Sequence, residues 1–493
     1  MAIRPKIKLF GYSTTVYGLS NLLTKIVVIT LVPLYTTYLT VFEVGVIVLL
    51  EMIELFVVTM IPIGCVNAMW RYLPEEEGQK KNEIIISTFM IMVISGIIIT
   101  ILLLFFQNNI SLFFDIPNEN NLLLFVFVSC FLKSISHFIY WLLQYRNQAV
   151  FYLLLSLFQF LTLVGLTIYF IISLDMGIIG IYYAKIGVFF TLSISMFFFL
   201  IKTAPALPSF KLIKKLLAYG LPIIPLILLM PVLTVSDRYF LQMYSSVEDI
   251  GRYGIAYKFG MLINMLLVVP IQKYWGPQMF QVGDLLEENK KIHQDITFYY
   301  SFIGLFILLG LSLFSDTILT IFANDDYIEV SWVIPWISLA YFIGGFKIFL
   351  QASASLSDRT DLFIKTGIYT IFSNIFLNYI LIKHFGIRGA VASTILSYLI
   401  LVGLLLITSK SINVIKWPIK KILHGAFIAA LVIIIFESIK DFSLNYNIII
   451  IKFILLLLFP IISITTNLIG HKEINGLRSI WYSIVKFLKN NIV

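Results

Sequence analysis

Residues 20–36 read SNLLTKIVVITLVPLYT, the core of an apolar run over 14–36, and Lys25 lies near its middle. A run of that length crosses a bilayer as a helix. The same oddity recurs. Lys133, Lys185, Lys258 and Lys347 each sit roughly central in an apolar run of twenty or more residues. A charged side chain at mid-bilayer costs about 2.5–3.5 kcal/mol. Five of them facing lipid would cost on the order of 12–18 kcal/mol, as much as the whole net stability of a domain. They are therefore expected to face a protected interior, and that interior to be positive. A membrane protein with a cationic cavity points to an anionic cargo.

Composition agrees. The chain has 493 residues, 60% of them hydrophobic and 12% charged, with a mean hydropathy of +0.97. Soluble domains carry about 25% charged residues, so the chain reads as an all-α, polytopic membrane protein. Cys65 and Cys130 fall inside apolar runs and read as buried thiols, not as a disulfide or a metal site. The first apolar run is too long for a cleaved signal and is expected to stay as a helix. A net charge of +9 raises the question of nucleic acid, but most basic residues sit in short loops on one side of the membrane, so no nucleic-acid partner is expected.

Fourteen segments have spanning length: 14–36, 43–66, 84–106, 121–143, 149–173, 178–201, 216–243, 250–271, 293–318, 331–354, 362–383, 388–409, 421–438 and 447–470, called spans 1 to 14 below. One set of connecting segments holds 23 of the 35 Lys and Arg residues, whereas the opposite set holds only Lys383, Arg388 and Lys440. By the positive-inside rule both termini are expected in the cytoplasm. The outer loops are short and acidic, too small for an external catalytic domain. The tail over 474–487 repeats Ile474, Leu477, Ile480, Trp481, Ile484 and Phe487 at helical spacing, as an amphipathic helix on the inner membrane face would.

Three local matches reveal an internal repeat. VFEVGVI from Val41 matches VEDIGRYGI from Val247, DMGIIGIYYA from Asp175 matches HFGIRGAVAS from His384, and Lys133 to Arg146 matches Lys347 to Arg359. Six spans per copy put both copies in the same orientation, related by an axis along the membrane normal. The expected organisation is an N-terminal lobe over 1–205 (spans 1–6), a C-terminal lobe over 206–412 (spans 7–12), spans 13 and 14 over 413–470, and the cytoplasmic tail over 471–493. Cargo would lie between the lobes, with Lys133 and Lys347 at nearly matching positions facing each other.

Several side chains are candidates for that site. Lys25, Lys133 and Lys347 suit phosphate, for which an ammonium is a good point-charge partner. Lys25 has the alternative of pairing with Glu51 or Glu54 on span 2. Those carboxylates, one turn apart, and Asp237 are candidates for coupling to a proton or sodium gradient; for Glu51 and Glu54 the other reading is static pairing with Lys25. Asp237 and Arg238 close span 7, and Arg252 opens span 8. An Asp237–Arg252 pair fixing the hairpin is the first expectation, with Arg238 offering a bidentate contact to phosphate or an acidic sugar as the other. Lys258 is expected to face the cavity. Lys185 is less supported, because its repeat mate lies near the uncharged Thr394. Lys365 and Lys452 sit near span ends and are expected to snorkel. Pro222, Pro225 and Pro231 in span 7 and Pro270 in span 8 open the helix ladder, as a gate or as static kinks. Tyr239, Tyr244, Tyr253 and Tyr257 are either sugar-stacking or ordinary interfacial aromatics. The five histidines show no metal spacing, and no phosphate-cradling glycine loop is present, so no cofactor is expected and the chain is not an ATP-hydrolysing pump on its own.

LPIIPLILLMPVLTVSDRYFLQMYSSVEDIGRYGIAYKFG, from Leu221 to Gly260, resembles the polysaccharide-transport flippases, the O-antigen and capsule repeat-unit branch of the multidrug/oligosaccharidyl-lipid/polysaccharide exporter superfamily. The proline-bracketed start, the Asp237–Arg238 dipeptide and the run Gly251, Tyr253, Ala256 carry the resemblance; GYSTTVYGLSNLLTKI from Gly11 and RYLPEEEG from Arg71 add to it. The resemblance implies two bundles forming a V-shaped cleft and alternating access. It also implies export of a polyprenyl-pyrophosphate-linked oligosaccharide across a bacterial cytoplasmic (inner) membrane, alongside a polysaccharide polymerase. A peptidoglycan-precursor flippase and a multidrug exporter of the same superfamily are the rival readings. A membrane polysaccharide polymerase, an enzyme, is the rival from another class; it would need the large outer loop that this chain lacks.

Overall fold

The computed structural model describes residues 27, 29–117, 121–146, 148–273, 275, 287–356, 361–412, 417–440 and 448–470. Every regular element among them is helical, and none is a strand. Spans 2 to 6, 8 to 10, 13 and 14 each fall on a described helix or on neighbouring helical elements broken by a kink, and spans 11 and 12 share one helical element. Of span 1 the structure describes the end, including the helix Val32–Tyr38. The rest of it, with Lys25, lies outside the described residues, as does the tail over 471–493.

Among the described residues ten helices are long and apolar enough to cross a membrane, or eleven if the bent pair Val41–Met60 and Cys65–Glu75 counts as one span. One of them, Lys365–Ser409, is 45 residues long and holds spans 11 and 12. The chain reverses within it at Gly386, where φ is +51° and ψ is −127°. The hydrogen bonds show the reversal directly. Asn374 donates to Ser397, and Ser393 donates to Asn378, so both pairs are symmetric about the turn. Lipid-facing surface is equally plain: Val150, Leu154, Phe158 and Leu161 recur every three or four residues along span 5, and all are exposed. Such a continuous apolar stripe is stable against acyl chains and not against water.

The described residues form two compact units. One comprises Met1–Phe259, Leu319–Val333 and Phe363–Leu401; the other comprises Gly260–Ile318, Ile334–Leu362 and Val402–Val493. In the first, Cys65, Met69, Phe138, Leu142, Met196 and Leu216 form a buried core joining spans 2, 4 and 6. Cys65 and Cys130 are both buried free thiols. In the second, Tyr300 on span 9 donates to the Phe342 carbonyl of span 10 at 2.6 Å and stacks on the Phe342 ring at 5.5 Å.

Two expectations about elements fail. Lys452 does not snorkel. It is fully buried and donates to Asp316 Oδ1 at 2.6 Å and Thr317 Oγ1 at 2.9 Å, with its Nζ 5.5 Å from the Phe436 ring. Asp316 opens the short helix Ser315–Phe322 next to it, so an anion was within reach and the ammonium turned inward. Span 7 also starts later than its apolar pattern suggests. Phe210–Gly220 is a separate amphipathic helix, followed by a 3-10 turn Leu221–Ile223 and then the span proper, Ile224–Tyr244.

Candidate functional site

Span 2 organises the site. Its helix Val41–Met60 starts with a capping box, in which Thr40 N donates to Glu43 Oε2 at 2.8 Å and Glu43 N donates to Thr40 Oγ1 at 3.2 Å. Glu51 and Glu54 then fall one turn apart, and each binds lysine.

Glu54 is buried and carries two ammonium groups. Lys185 of span 6 donates to its Oε1, and Lys133 of span 4 lies 3.7 Å from its Oε2. The two lysines are not equivalent. The Lys133 side chain is 31% exposed and that of Lys185 is 15% exposed, with its Nζ 4.4 Å from the Tyr182 ring centre. Lys185 is thus locked in place, whereas Lys133 holds the carboxylate at longer range and keeps part of its surface open. The trio carries one surplus positive charge.

Glu51 pairs with Lys258 of span 8 at 2.9 Å, and here the exposure is reversed. The carboxylate is 37% exposed and the lysine 8%. The accessible end of this pair is negative. Lys258 is therefore a buried counter-charge, with Tyr35 at 5.9 Å on its other side.

The expected Asp237–Arg252 pair does not form. Asp237 accepts from Tyr253 Oη at 2.5 Å, and from the Arg238 backbone N–H at 2.8 Å and guanidinium at 3.0 Å. Arg238 also lies over the Tyr257 ring at 4.4 Å and donates to the Thr234 carbonyl at 3.0 Å. Arg252 instead contacts Asp249 at 3.6 Å and donates to the Asp326 carbonyl at 3.2 Å. The reason is helical phase. Arg252 and Tyr253 are adjacent on one helix and point about 100° apart; Tyr253 faces the buried Asp237, so Arg252 cannot.

Lys347, on span 10, is half-buried and has no hydrogen-bond or ion-pair partner among the described residues. Pro222 and Pro225 sit in first helical turns, where a missing N–H breaks no hydrogen bond. Pro231 alone interrupts the body of the span 7 helix, and Pro270 follows a π-helical turn, Asn264–Val268. Among the described residues no group of three or more His, Cys, Asp or Glu side chains gathers as a metal site would.

One polar cluster had no counterpart in the sequence reading. Ser236 on span 7 donates to Asn374 Oδ1 at 2.8 Å and accepts from Asn378 at 2.9 Å, and Asn374 donates to Ser397 at 2.9 Å. The available signal was two i, i+4 polar pairs, Asn374/Asn378 and Ser393/Ser397, each on one face of an apolar helix. The cluster joins span 7 to the span 11–12 hairpin.

The described helices, long and apolar, form an all-helical, multi-pass membrane fold. Solved structures share it. The inward closed conformation of the lipid II flippase MurJ superposes with a TM-score of 0.73 at 18% identity, over 90% of this chain and 97% of that one. An inward-facing multidrug-resistance MATE family transporter of the MOP superfamily gives 0.64 at 14% identity, over 80% and 95%. The MATE transporter VcmN of Vibrio cholerae gives 0.59 at 12%, over 83% and 98%. Residues 10–282 match the family described as polysaccharide biosynthesis protein, and the chain belongs to that family. A curated relative is the Man(5)GlcNAc(2)-PP-dolichol translocation protein RFT1 of Kluyveromyces lactis, 26% identical over 185 residues; the match spans 34% of this chain and 32% of that protein.

Proposed function

We propose that this chain is a lipid-linked oligosaccharide flippase. It moves polyprenyl-pyrophosphate-linked polysaccharide repeat units from the cytoplasmic to the outer leaflet of a bacterial cytoplasmic membrane, by alternating access of two six-span lobes and without chemistry on the cargo. The observation that carries this reading is the Glu54 trio: one carboxylate shared by two lysines, with Lys133 left partly open. A pyrophosphate arriving at Lys133 meets net positive charge on a rigid base. Lys347 offers a second ammonium, and Lys25 and Arg238 are further candidates. The family and the translocation relative support a lipid-linked glycan as cargo.

Outward movement of an anion runs down an inside-negative potential, worth about 2.3 kcal/mol per charge per 100 mV. Glu51 is the better candidate for a coupling ion, because it is the more exposed of the two span 2 carboxylates and is held by one lysine. A polysaccharide polymerase is the partner that would receive the flipped unit.

The experiment is an inner-leaflet assay of lipid-linked repeat units in a Lys133→Ala strain with unchanged protein level. Accumulation is expected; normal export in Lys133→Ala and Lys347→Ala strains sinks the charge model. The MurJ-like fold favours one second reading, a peptidoglycan-precursor flippase. Under that reading deletion is lethal, whereas a repeat-unit flippase is dispensable for growth.

A further inference from the structure

We infer that the helix Phe210–Gly220, which links span 6 to span 7, docks on the surface of an anionic phospholipid bilayer. The helix has two faces. Leu212, Ile213, Leu216, Leu217 and Tyr219 pack into the core of the first unit. Phe210, Lys211, Lys214, Lys215 and Ala218 are all exposed and, at 100° per residue, fall within one 140° arc. Phe210 and the preceding Leu207 are each 83% exposed. Large apolar side chains beside lysines, at the edge of two spans, have the composition of a surface that sits at the headgroup–acyl boundary.

The charge on this face is uncompensated. Between Asp175 and Asp237 the chain has no acidic residue and five lysines, three of them on this helix. Lys215 stacks its ammonium 3.9 Å from the Tyr72 ring, which fixes the rotation of the helix. Lys211 and Lys214 have no ion-pair partner among the described residues. Ser209 N also donates to Ser87 Oγ at 3.0 Å, which ties the start of the helix to span 3. On span 6 the exposed apolar surface of Phe197, Phe198 and Ile201 ends at Lys202 and resumes at Leu207. A soluble acidic partner would satisfy the lysines and leave Leu207 and Phe210 in water. An anionic bilayer satisfies both.

The native cysteines are buried, so a Phe210→Cys variant of the full chain takes a fluorescent label at one place. The labelled protein is reconstituted in vesicles of phosphatidylcholine alone and in vesicles that also contain phosphatidylglycerol. Quenching by a lipid-borne nitroxide near the headgroup is expected to be at least about twofold stronger with phosphatidylglycerol, because each lysine gains from the anionic surface. A Lys211→Gln, Lys214→Gln, Lys215→Gln background should return it to the phosphatidylcholine level. The Lys211→Gln, Lys214→Gln double variant spares the Tyr72 contact and serves if the triple variant fails to fold. Full access of aqueous iodide in both vesicles overturns the proposal. So does nitroxide quenching that ignores both lipid charge and the lysines. Neither arm uses a glycan cargo, so the outcome is separate from the flippase reading.

Discussion

Gly45 on span 2 lies directly against the carbonyl of Val247 at the start of span 8, and the contact is reciprocated: a β-carbon on Gly251 would sit 2.6 Å from the Val41 carbonyl oxygen. Val41 and Val247, and Gly45 and Gly251, are each separated by 206 residues. The two Val-x-x-x-Gly stretches cross each other reciprocally, each glycine under the other's valine. Only glycine permits backbones this close. Gly177 and Gly386 share a left-handed φ, +53° and +51°.

The crossing makes a steric prediction. Gly45→Leu has no room, and overpacking of this kind costs about 1–3 kcal/mol. Purified Gly45→Leu should unfold at a lower temperature than wild type, and its export should fall. Gly165→Leu, at a glycine whose added Cβ would meet nothing within 4 Å, should change neither. Equal thermal stability of Gly45→Leu and wild type would refute the contact.

The Glu54 trio predicts unequal lysines. Lys185→Met leaves Glu54 with one distant partner in a buried place, and breaking a buried pair costs about 3–5 kcal/mol. Lys133→Met should cost less stability, since Lys133 is the more exposed and more distant partner, yet should lose more export. Thermal unfolding and leaflet assays on both variants check this. The reverse order would assign the cargo contact to Lys185.

In the second unit the two sides of one ion pair should differ sharply. Lys452 is 1% exposed and Asp316 is 51% exposed. Asp316→Ala strands a buried ammonium, for a cost of about 3–5 kcal/mol. Lys452→Met leaves a carboxylate that water reaches and puts a close-fitting apolar chain beside Phe314 and Phe436; the loss should stay under about 1 kcal/mol. Unfolding curves of the two variants should separate by several degrees.

The Asp237 contacts predict a similar asymmetry. Tyr253→Phe removes a hydrogen bond to a buried carboxylate, worth about 1.5–3 kcal/mol. Arg252→Ala removes a partly exposed contact worth about 1 kcal/mol or less. A larger loss in Arg252→Ala would restore the hairpin pair expected from sequence.

The membrane class, the helical fold and the positions of most spans were legible in the chain, because each rests on composition and one-dimensional spacing. Partner choice was not. Asp237 selects Tyr253 over Arg252, and Lys452 selects Asp316 over the interface, through helical phase and neighbours 136 residues away. The Asn374–Asn378–Ser236 cluster escaped notice because amides and hydroxyls barely dent the hydropathy of their spans.

What the sequence determined by itself is that these helices live in lipid: twenty apolar residues in a row have no other stable solvent, and a lysine among them must find protection. The tertiary structure alone decided how each charge is protected. An ion pair depends on which faces of distant helices meet, and that is set by packing, here by glycines that let span 2 and span 8 touch backbone to backbone.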